Sequence, residues 1–454
     1  MVNPYIFREY DIRGVVDEDL TNETVLALGQ GIGTYMKNNS VKAVSIGGDV
    51  RLSTERFREH LLKGILSTGI HCVDIGPVPT PVQYFSMHHL DVQGGVMITG
   101  SHNPPEFNGF KITMYNAPVY GEDIQQIRAI IDQKDFAAGE GVLIKEKVTD
   151  AYIEHIIKDI KIDQPLKVAL DSGNGAASLV AHRLFKELGV DTIDLFDTPD
   201  GNFPNHHPDP TVVDNIQELI KTVRTEKAAF GIGYDGDGDR IGVVDENGQI
   251  IWGDKLMIIF ARNVLQNQPG APILFEVKCS QALPEVIEQA GGQPVMWRTG
   301  HSNLKKKMKE MQAPLAGEMS GHLFFADRYY GYDDAIYASA RLAELVAGSG
   351  QAISQLLQGT PQYYSTPEIR AEVQDDKTKF KMAEQAKQYF SKHYEVIDVD
   401  GVRIQFGDGW GLVRASNTQP VLVLRFEAQS KKRLAEIKKL VVDQLKQYGS
   451  LSLS

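Results

Sequence analysis

The most restrictive feature of the sequence is a local pattern that occurs three times along the chain. Each copy predicts an apolar strand, a short loop, a helix, a glycine and a second strand. Units of this size form parallel strand pairs with right-handed crossovers, so the repeat predicts three related α/β domains. The predicted copies are strand 41–46, helix 54–67 and strand 71–75; strand 166–170, helix 177–188 and strand 192–196; and strand 272–277, helix 281–290 and strand 295–297.

A glycine follows each predicted helix, at Gly69, Gly189 and Gly291. The residue just after a helix often adopts a positive φ, which glycine does without steric cost. These glycines therefore mark the predicted helix ends.

The C-terminal part departs from this repeat. A turn-rich linker is predicted at 361–367, strands at 396–404 and 421–426, and an amphipathic helix at the end of the chain, with Leu434, Ile437, Val441 and Leu445 on one face. We predict an α/β fold class, with three related α/β domains with mixed sheets plus a C-terminal α+β domain around a central cleft. The predicted domain bounds are 1–147, 148–249, 250–360 and 361–454.

Composition excludes several classes of protein. The 454 residues carry a formal net charge of −12, so a general surface for nucleic acid or anionic membrane is not expected. Cys72 and Cys279 lack the spacing of metal ligands and suggest free thiols in a reducing compartment. The sequence contains no apolar run long enough to span a bilayer and no apolar leader. We therefore expect a cytoplasmic protein whose phosphate sites, if any, are local basic pockets.

The segment from Met97 to Ile112 reads M-I-T-G-S-H-N-P-P-E-F-N-G-F-K-I and follows a predicted buried strand. Gly100 allows a sharp turn, and Pro104 and Pro105 prevent a helix from starting directly after it. Ser101 is therefore expected on a stiff loop at a strand end. An ordinary Ser/Asn turn is the alternative interpretation.

Three aspartates, Asp235, Asp237 and Asp239, alternate with glycines between two apolar runs, which predicts a strand–turn–strand tip. Unit charges brought within about 4 Å repel by roughly 4 kcal/mol per pair at an effective dielectric constant of 20. The cluster therefore predicts a cation, and its oxygen ligands favour Mg²⁺ over Zn²⁺. An acidic surface turn is the alternative.

An EF-hand loop also fits part of this spacing, with Glu246 as the twelfth residue of the loop. Its sixth position needs glycine, however, and Arg240 stands there. The segment that follows reads as a strand, so we disfavour this alternative.

Two further loops carry polar groups that could bind a ligand. Arg414, Ser416, Asn417 and Thr418 precede a predicted strand that contains Arg425, and arginine presents a planar fork to phosphate oxygens. Glu318 and Ser320 lie between two glycines, and an ionised glutamate accepts hydrogen bonds from sugar hydroxyls. Capping or turn roles are the alternative for both loops.

Four motifs together resemble the α-D-phosphohexomutases and cover the whole chain. They are T-G-S-H-N-P with its following N-G-x-K, Y-D-G-D-G-D-R from Tyr234 to Arg240, G-E-M-S-G-H from Gly317 to His322, and R-A-S-N-T-Q-P from Arg414 to Pro420. The last two favour the phosphomannomutase/phosphoglucomutase branch.

This resemblance implies an isomerase that interconverts hexose 1- and 6-phosphates through a phosphorylated Ser101. It implies Mg²⁺ held by phospho-Ser101 and the three aspartates, and a hexose 1,6-bisphosphate as intermediate and activator. The implied catalytic residues are Ser101, Lys111, His102 and Arg13. The implied substrate-binding residues are Tyr10, Arg240, Lys278, Thr299, Gly300, His301, Glu318, Ser320, His322, Arg414, Ser416, Asn417, Thr418 and Arg425. We expect small phosphosugars as partners, no nucleic acid or membrane, and a monomer.

The chain departs from the family at Gly48, where related chains often carry arginine, so the loop 47–51 receives no phosphate role. The nearest alternative is a phosphoglucosamine mutase, which usually has Gln at Met319 and R-P-S-G-T-E-P in the last motif. A hydrolase using Ser101 with His102 is disfavoured because adjacent residues rarely orient as nucleophile and base. A non-catalytic sugar-phosphate binding protein would lack turnover.

Overall fold

The computed structural model of the protein describes residues 2–416 and 421–453. Two compact units account for the chain: Met1–Leu256 with Ser320–Leu356, and Met257–Met319 with Leu357–Ser454. The predicted division into four domains at the bounds given above stays a prediction. Among the described residues, each helix is too short or too polar to cross a membrane.

The N-terminal part of the first unit is a mixed sheet covered by helices. Its strands follow the order β1-β5-β4-β2-β3-β7, with β6 paired to β5. The strands β2, β3 and β4 are parallel, whereas β5 runs antiparallel to both neighbours. The elements are a 3₁₀ helix Pro4–Ile6, β1 Ile12–Val15, α1 Asn22–Asn38, β2 Ala43–Gly48, α2 Thr54–Leu66, β3 His71–Pro77, α3 Thr80–His89, β4 Gly94–Ile98, β5 Phe107–Met114, β6 Ala117–Pro118, α4 Glu122–Gln133 and β7 Leu143–Lys145.

A second mixed sheet follows, with strand order β12-β11-β10-β8-β9. Parallel pairs join β8 to β9 and β10, and β10 and β11 form an antiparallel hairpin. Strands rather than helices therefore flank the three aspartates, and the EF-hand alternative is wrong. The elements are α5 Thr149–Asp159, β8 Lys167–Asp171, a 3₁₀ helix Ala176–Leu179, α6 Ala181–Glu187, β9 Asp191–Leu195, a 3₁₀ helix Val213–Ile216, α7 Gln217–Glu226, β10 Phe230–Tyr234, β11 Ile241–Asp245 and β12 Ile250–Ile251.

The third segment contains α8 Gly253–Asn267, β13 Pro272–Glu276, α9 Ala282–Gln289, β14 Gln293–Trp297, α10 His301–Met311, β15 Leu315–Gly317, β16 Leu323–Phe325, α11 Ala335–Ser349 and a 3₁₀ helix Ile353–Leu357. In the second unit, β13 lies between β14 and β15, and all three are parallel. In the first unit, Asp334 caps α11 by accepting a hydrogen bond from the Tyr337 amide at 2.7 Å.

The C-terminal part of the second unit is an antiparallel sheet with two helices. The strand order is β19-β20-β21-β22-β18-β23, with β17 paired to β22. The buried residues Ile437, Val441 and Leu445 of α13 join the core of this part. Its elements are β17 Tyr364–Ser365, β18 Ile369–Glu372, α12 Asp376–Phe390, β19 Glu395–Ile397, β20 Val402–Gln405, β21 Gly409–Ala415, β22 Val421–Ala428, α13 Lys431–Leu445 and β23 Ser452–Leu453.

The predicted fold class and its repeated unit are confirmed. The glycines after the three helices, Gly69, Gly189 and Gly291, have φ values of 91°, 78° and 78°. Two local predictions were wrong. The predicted helix 177–188 begins as a 3₁₀ turn, because Val180 leaves helical geometry at φ −136°. The predicted strand 396–404 is the antiparallel pair β19–β20.

The helices α1 and α2 pack with their backbones in close approach. A Cβ added at Gly64 would lie 2.4 Å from the carbonyl oxygen of Leu26 and 2.8 Å from the Cα of Gly29. Since buried backbone cannot move aside as a flexible side chain can, Gly64 is required by this contact.

We expect Gly64→Ala to lower the free energy of unfolding by about 1–3 kcal/mol, the usual cost of overpacking a core. Urea unfolding followed by circular dichroism measures this. The matched control is Gly348→Ala in α11, where an added Cβ meets nothing within 4 Å. There we expect a gain of about 0.5–1 kcal/mol from the better helix former. Equal stability of Gly64→Ala and the unsubstituted protein would contradict the close packing.

Candidate functional site

The tip of the β10–β11 hairpin holds the three predicted metal ligands. Asp235, Asp237 and Asp239 are each 0% exposed, and one carboxylate oxygen from each lies within 4.8 Å of the others. Oδ1 of Asp235 accepts the backbone N–H groups of Gly238, Asp239 and Arg240, each at 3.1 Å. These bonds fold the tip so that the carboxylates converge.

Ser101 lies against this tip. Its Oγ donates to Oδ2 of Asp235 at 3.0 Å and lies 3.2 Å from Nδ1 of His102. Its backbone has φ 49°, a left-handed conformation that is uncommon for residues other than glycine. The Ser101 amide donates to Oγ1 of Thr99 at 2.7 Å, which supports this turn. The structure thus brings the predicted phosphoryl carrier to the predicted metal ligands.

Lys111 projects from β5 into the same cluster. Its ammonium donates to Oδ2 of Asp237 at 2.7 Å and to Oδ2 of Asp239 at 2.5 Å. Thr80, the first residue of α3, donates its hydroxyl to Oδ2 of Asp237 at 2.5 Å. Thr80 lies in no motif and is 157 residues from its partner, so it was not predicted.

Burial and mutual repulsion set the charges of this cluster. Burial, together with the charges of Asp239 and Asp237, raises the pKa of Asp235 well above its ordinary value. Burial alone would lower the pKa of Lys111, but Asp237 and Asp239 outweigh it and raise that pKa well above its ordinary value. Burial also acts to raise the pKa of Asp237, but the charge and hydrogen bond of Lys111 hold it below its ordinary value. A single ammonium therefore leaves the cluster with excess negative charge.

The residues present fit a hard divalent cation. Among the described residues, Oδ1 of Asp237 and Oδ1 of Asp239 are buried without a hydrogen-bond partner. Such buried acceptors cost free energy unless a donor or a cation satisfies them. Carboxylate oxygens alone are the ligands of a hard ion. The acidic cluster could therefore bind a metal ion.

Three other predicted residues of the first unit, Arg13, Arg240 and His322, lie near His102, the neighbour of Ser101. Arg13 donates to Oδ1 of Asn103 at 2.8 Å, and it also pairs with Asp11. Nε of Arg240 donates to Nε2 of His322 at 3.0 Å. Burial lowers the pKa of His102 well below its ordinary value, with further contributions from Arg240 and Arg13, so its imidazole is neutral near pH 7. Tyr10 and Ser320 are half-buried loop residues in the same unit.

In the second unit, the predicted sugar-binding loop is fixed by backbone bonds. Oε1 of Glu318 accepts the Gly300 amide at 2.6 Å. The buried Glu276 accepts the Thr299 hydroxyl at 2.6 Å and the Met319 amide at 3.2 Å. Glu276, which the sequence analysis missed, thus joins the loop after β14 to the loop after β15.

The predicted phosphate-binding residues lie on β13, β21, β22 and their loops. Oδ2 of Asp400 accepts a hydrogen bond from Nε of Arg414 at 2.6 Å and another from the backbone amide of Thr299 at 3.0 Å. Asp400 was also missed, since no motif marks it. Nζ of Lys278 lies 3.1 Å from a carboxylate oxygen of Glu368. Burial alone would lower the pKa of Lys278, but the charges of Glu276 and Glu368 outweigh it and raise that pKa.

Three further predicted residues lie on or next to strands and helices of the second unit. Arg425 lies on β22 and donates to the Lys278 carbonyl, Ser416 is buried at the end of β21, and His301 begins α10. The predicted Asn417 and Thr418 lie outside the described residues.

Four family models match the chain in order. They describe the phosphoglucomutase/phosphomannomutase alpha/beta/alpha domains I, II and III, at residues 4–138, 150–248 and 252–364, and the C-terminal domain at residues 368–444. Together they cover most of the sequence. The chain therefore belongs to the phosphoglucomutase/phosphomannomutase family, the α-D-phosphohexomutases. The predicted family and the predicted isomerase class are confirmed.

Individual proteins agree with this assignment. A phosphomannomutase/phosphoglucomutase of Pseudomonas aeruginosa is 45% identical over 447 residues, spanning 98% of this chain and 96% of that protein. A phosphoglucomutase of Neisseria gonorrhoeae is 41% identical over 436 residues, spanning 95% of each. A crystal structure of a phosphoglucomutase/phosphomannomutase family protein from Burkholderia thailandensis is similar at a TM-score of 0.94 and 41% identity, covering 99% of this chain and 100% of that one.

A divalent cation should raise the melting temperature, because it relieves the repulsion among the three carboxylates. With Mg²⁺ as the probe at one hundred times its dissociation constant, linkage predicts about 2.7 kcal/mol of added stability. Asp237→Asn should remove most of this ion-dependent increase in thermal melts. Asp163→Asn, a change at an exposed residue, should retain it. An equal increase in Asp237→Asn would show that the ion binds elsewhere.

Proposed function

We propose that this protein interconverts hexose 1-phosphates and hexose 6-phosphates of mannose, glucose or both. In this proposal, phospho-Ser101 gives its phosphoryl group to the free hydroxyl of the substrate, and a hexose 1,6-bisphosphate forms. The bisphosphate then reorients, and Ser101 accepts the other phosphoryl group. The observation that carries the proposal is the position of the Ser101 hydroxyl, 3.0 Å from a buried cluster of three carboxylates.

Mg²⁺ is the ion we propose for the cluster, with Asp235, Asp237, Asp239 and phospho-Ser101 as its ligands. When bound, the ion would neutralise phosphoryl charge and so favour transfer. This choice follows from the all-oxygen donor set. Hexose 1,6-bisphosphate is proposed as the activator that phosphorylates Ser101.

The protein's own residues have distinct proposed roles at the transfer step. Lys111 is the proposed acid/base, supported by its position between Asp237 and Asp239. In this proposal the oxygen of Ser101 takes a proton from Lys111 as its bond to phosphorus breaks, and the proton released by the attacking substrate hydroxyl restores Lys111. Arg13 is proposed to stabilise phosphoryl charge. His102 lies beside Ser101 and is proposed as a further catalytic group.

Substrate recognition is proposed for both units. Glu318 and Ser320 are proposed to bind the sugar hydroxyls, and Arg414 with Ser416, Asn417 and Thr418 to bind the phosphate that does not react. The bond from Arg414 to Asp400 supports this role, because it orients the guanidinium. The remaining proposed substrate contacts are Tyr10, Arg240, Lys278, Thr299, Gly300, His301, His322 and Arg425.

We also retain the four-domain division, a cytoplasmic location and a monomeric state as proposals, with neither nucleic acid nor membrane as a partner. Small phosphosugars are the proposed substrates. Turnover of glucose 1-phosphate or mannose 1-phosphate would separate an enzyme from a protein that merely binds sugar phosphates.

Incubation with glucose 1,6-bisphosphate should add one phosphoryl group, because the proposed donor is a single serine hydroxyl. Intact-mass measurement followed by peptide mapping should place it on Ser101. Ser101→Ala should gain no mass, while Ser391→Ala, a change at an exposed serine outside the proposed site, should gain as much as the unsubstituted protein. Modification that maps to another residue would refute the donor assignment.

Glu318→Ala should depress kcat/KM for glucose 1-phosphate and mannose 1-phosphate by similar factors. A half-turn of the hexose ring roughly exchanges O3 with O4, so a carboxylate that accepts from both hydroxyls holds either orientation of the intermediate. O2 has no such counterpart, and the pocket should tolerate both epimers at C2. Each such bond is worth about 1.5–3 kcal/mol, so losing two should reduce kcat/KM around a thousandfold or more.

The control for this measurement is Glu310→Ala, because Glu310 is exposed on α10 and pairs with Lys307. It should leave both values of kcat/KM unchanged. Very different losses for the two sugars in Glu318→Ala would mean that Glu318 distinguishes the C2 epimers.

A further inference from the structure

Arg51 uses every N–H of its guanidinium inside the first unit. Its Nε donates to Oδ2 of Asp49 at 3.2 Å. Nη1 donates to the carbonyls of Pro104 and Phe107 at 2.6 and 2.9 Å, and Nη2 to the carbonyls of Ser101 and Asn103 at 2.7 and 2.5 Å. Arginine has five such donors, so four of them bind the backbone of the loop that carries Ser101.

The partner Asp49 ties the same loop to the end of β2. Its Oδ2 also accepts the Gly100 amide at 3.3 Å, and its Oδ1 accepts the Arg51 amide at 3.0 Å and the Thr54 hydroxyl at 2.7 Å. The side chains of Arg51 and Asp49 are 0% and 1% exposed. The pair is therefore sealed from solvent and cannot bind a substrate phosphate directly.

The loop has an unusual backbone where Arg51 holds it. Ser101 has φ 49°. Its carbonyl oxygen also lies close to the turn at residues 235–239, called here the metal-ligand turn, because a Cβ at Gly236 would lie 2.3 Å from that oxygen. A left-handed non-glycine residue persists only where its surroundings fix it. The carbonyl of Ser101 thus has both Arg51 and Gly236 as close neighbours.

The space around the guanidinium is also fully used. The three atoms nearest to a Cβ added at Gly100 would all belong to Arg51, with Cζ at 2.5 Å, Nε at 2.6 Å and Nη1 at 2.9 Å. Cζ of Arg51 also lies over the ring of Phe203, 5.2 Å from its centroid. The guanidinium therefore has close neighbours in the Ser101 loop and in Phe203.

We propose that Arg51 is a positioning residue for phosphoryl transfer, which holds the Ser101 Oγ at the metal-ligand turn by binding the carbonyls of residues 101, 103, 104 and 107. This inference rests on the proposed function, since it assigns Arg51 a role through Ser101 as donor. In this proposal Arg51 does not contact the substrate. It acts through the position of Ser101, the phosphoryl donor. Its loss therefore changes the transfer step and leaves substrate affinity in place.

The first test is Arg51→Lys, measured in the full-length enzyme with glucose 1-phosphate and activating glucose 1,6-bisphosphate. Lysine offers three donors, so at least two of the five bonds are lost. We expect kcat to fall about 100-fold, as for a misplacement of about 1 Å at a reacting group. KM should stay within about threefold of its original value, because the proposed substrate contacts are intact.

The matched control is Arg341→Lys. Arg341 is also a buried arginine of the first unit and binds both oxygens of Asp327, at 3.0 and 2.9 Å. It should lower the melting temperature as much as Arg51→Lys does, but leave kcat within about twofold, because Asp327 and Tyr337, which accept its hydrogen bonds, are not among the proposed site residues. If kcat falls in both variants, in proportion to the loss of stability in each, the inference is overturned.

A double-mutant cycle separates positioning from general destabilisation. The methyl group added by Gly100→Ala would lie closest to the guanidinium of Arg51, so this variant should lower kcat and leave KM unchanged. In the Arg51→Lys background the added methyl group meets a flexible side chain, and its effect should largely disappear. Losses in kcat that simply multiply would overturn the inference, because contacting residues that act as one unit are not additive. If Arg51→Lys does not fold, the inference is tested by Gly100→Ala alone. An unchanged kcat in Gly100→Ala then refutes it.

Failure of the proposed function is visible in the unsubstituted protein, which would show neither turnover nor phosphorylation of Ser101. Failure of the inference is visible only in the variants, with a fully active parent. The two outcomes are therefore distinct.

Discussion

The burial of three carboxylates beside one serine hydroxyl governs the arrangement of the first unit. Desolvated charges are tolerated only with partners, and the partners come from separate elements. Lys111 lies on β5, Thr80 begins α3, and Ser101 follows β4. Each of these must reach the β10–β11 tip at once. The requirement to satisfy this charge therefore fixes the positions of the surrounding elements more strictly than hydrophobic packing does, since apolar contacts are not directional.

Much of this arrangement follows from local sequence. Alternating Asp and Gly between apolar runs predicts a hairpin tip, and that hairpin is present as β10 and β11. The glycines after the repeated helices have the predicted positive φ. Local signals failed where one residue broke a run, as Val180 does before α6. Apolar runs alone also could not separate one strand from two, because a turn inside the run at 396–404 changes the direction of the chain.

The residues of the site were predicted less completely than the strands and helices of the fold. The motifs carry both the residue types and the order of the family, and the structure brings the predicted Ser101, Lys111 and three aspartates together. Thr80, Glu276, Asp400 and Arg51 were missed, since their roles depend on partners that local sequence does not indicate. Arg51 lies 50 residues from Ser101, whose carbonyl it binds. Such contacts depend on how strands are ordered in a sheet, which residue spacing along the chain does not specify.

Buried arginines serve a similar purpose in both units. A loop at a strand end has carbonyls without ladder partners, and buried carbonyls require donors. Arg403 donates to the carbonyls of Val277 and Cys279, which follow β13, and its guanidinium lies 3.7 Å from the ring centroid of Trp410. Arg51 does the same for the Ser101 loop. Arg51 and Arg403 therefore hold loops through their carbonyl acceptors, whereas Arg414, oriented by the carboxylate of Asp400, is suited to bind a ligand.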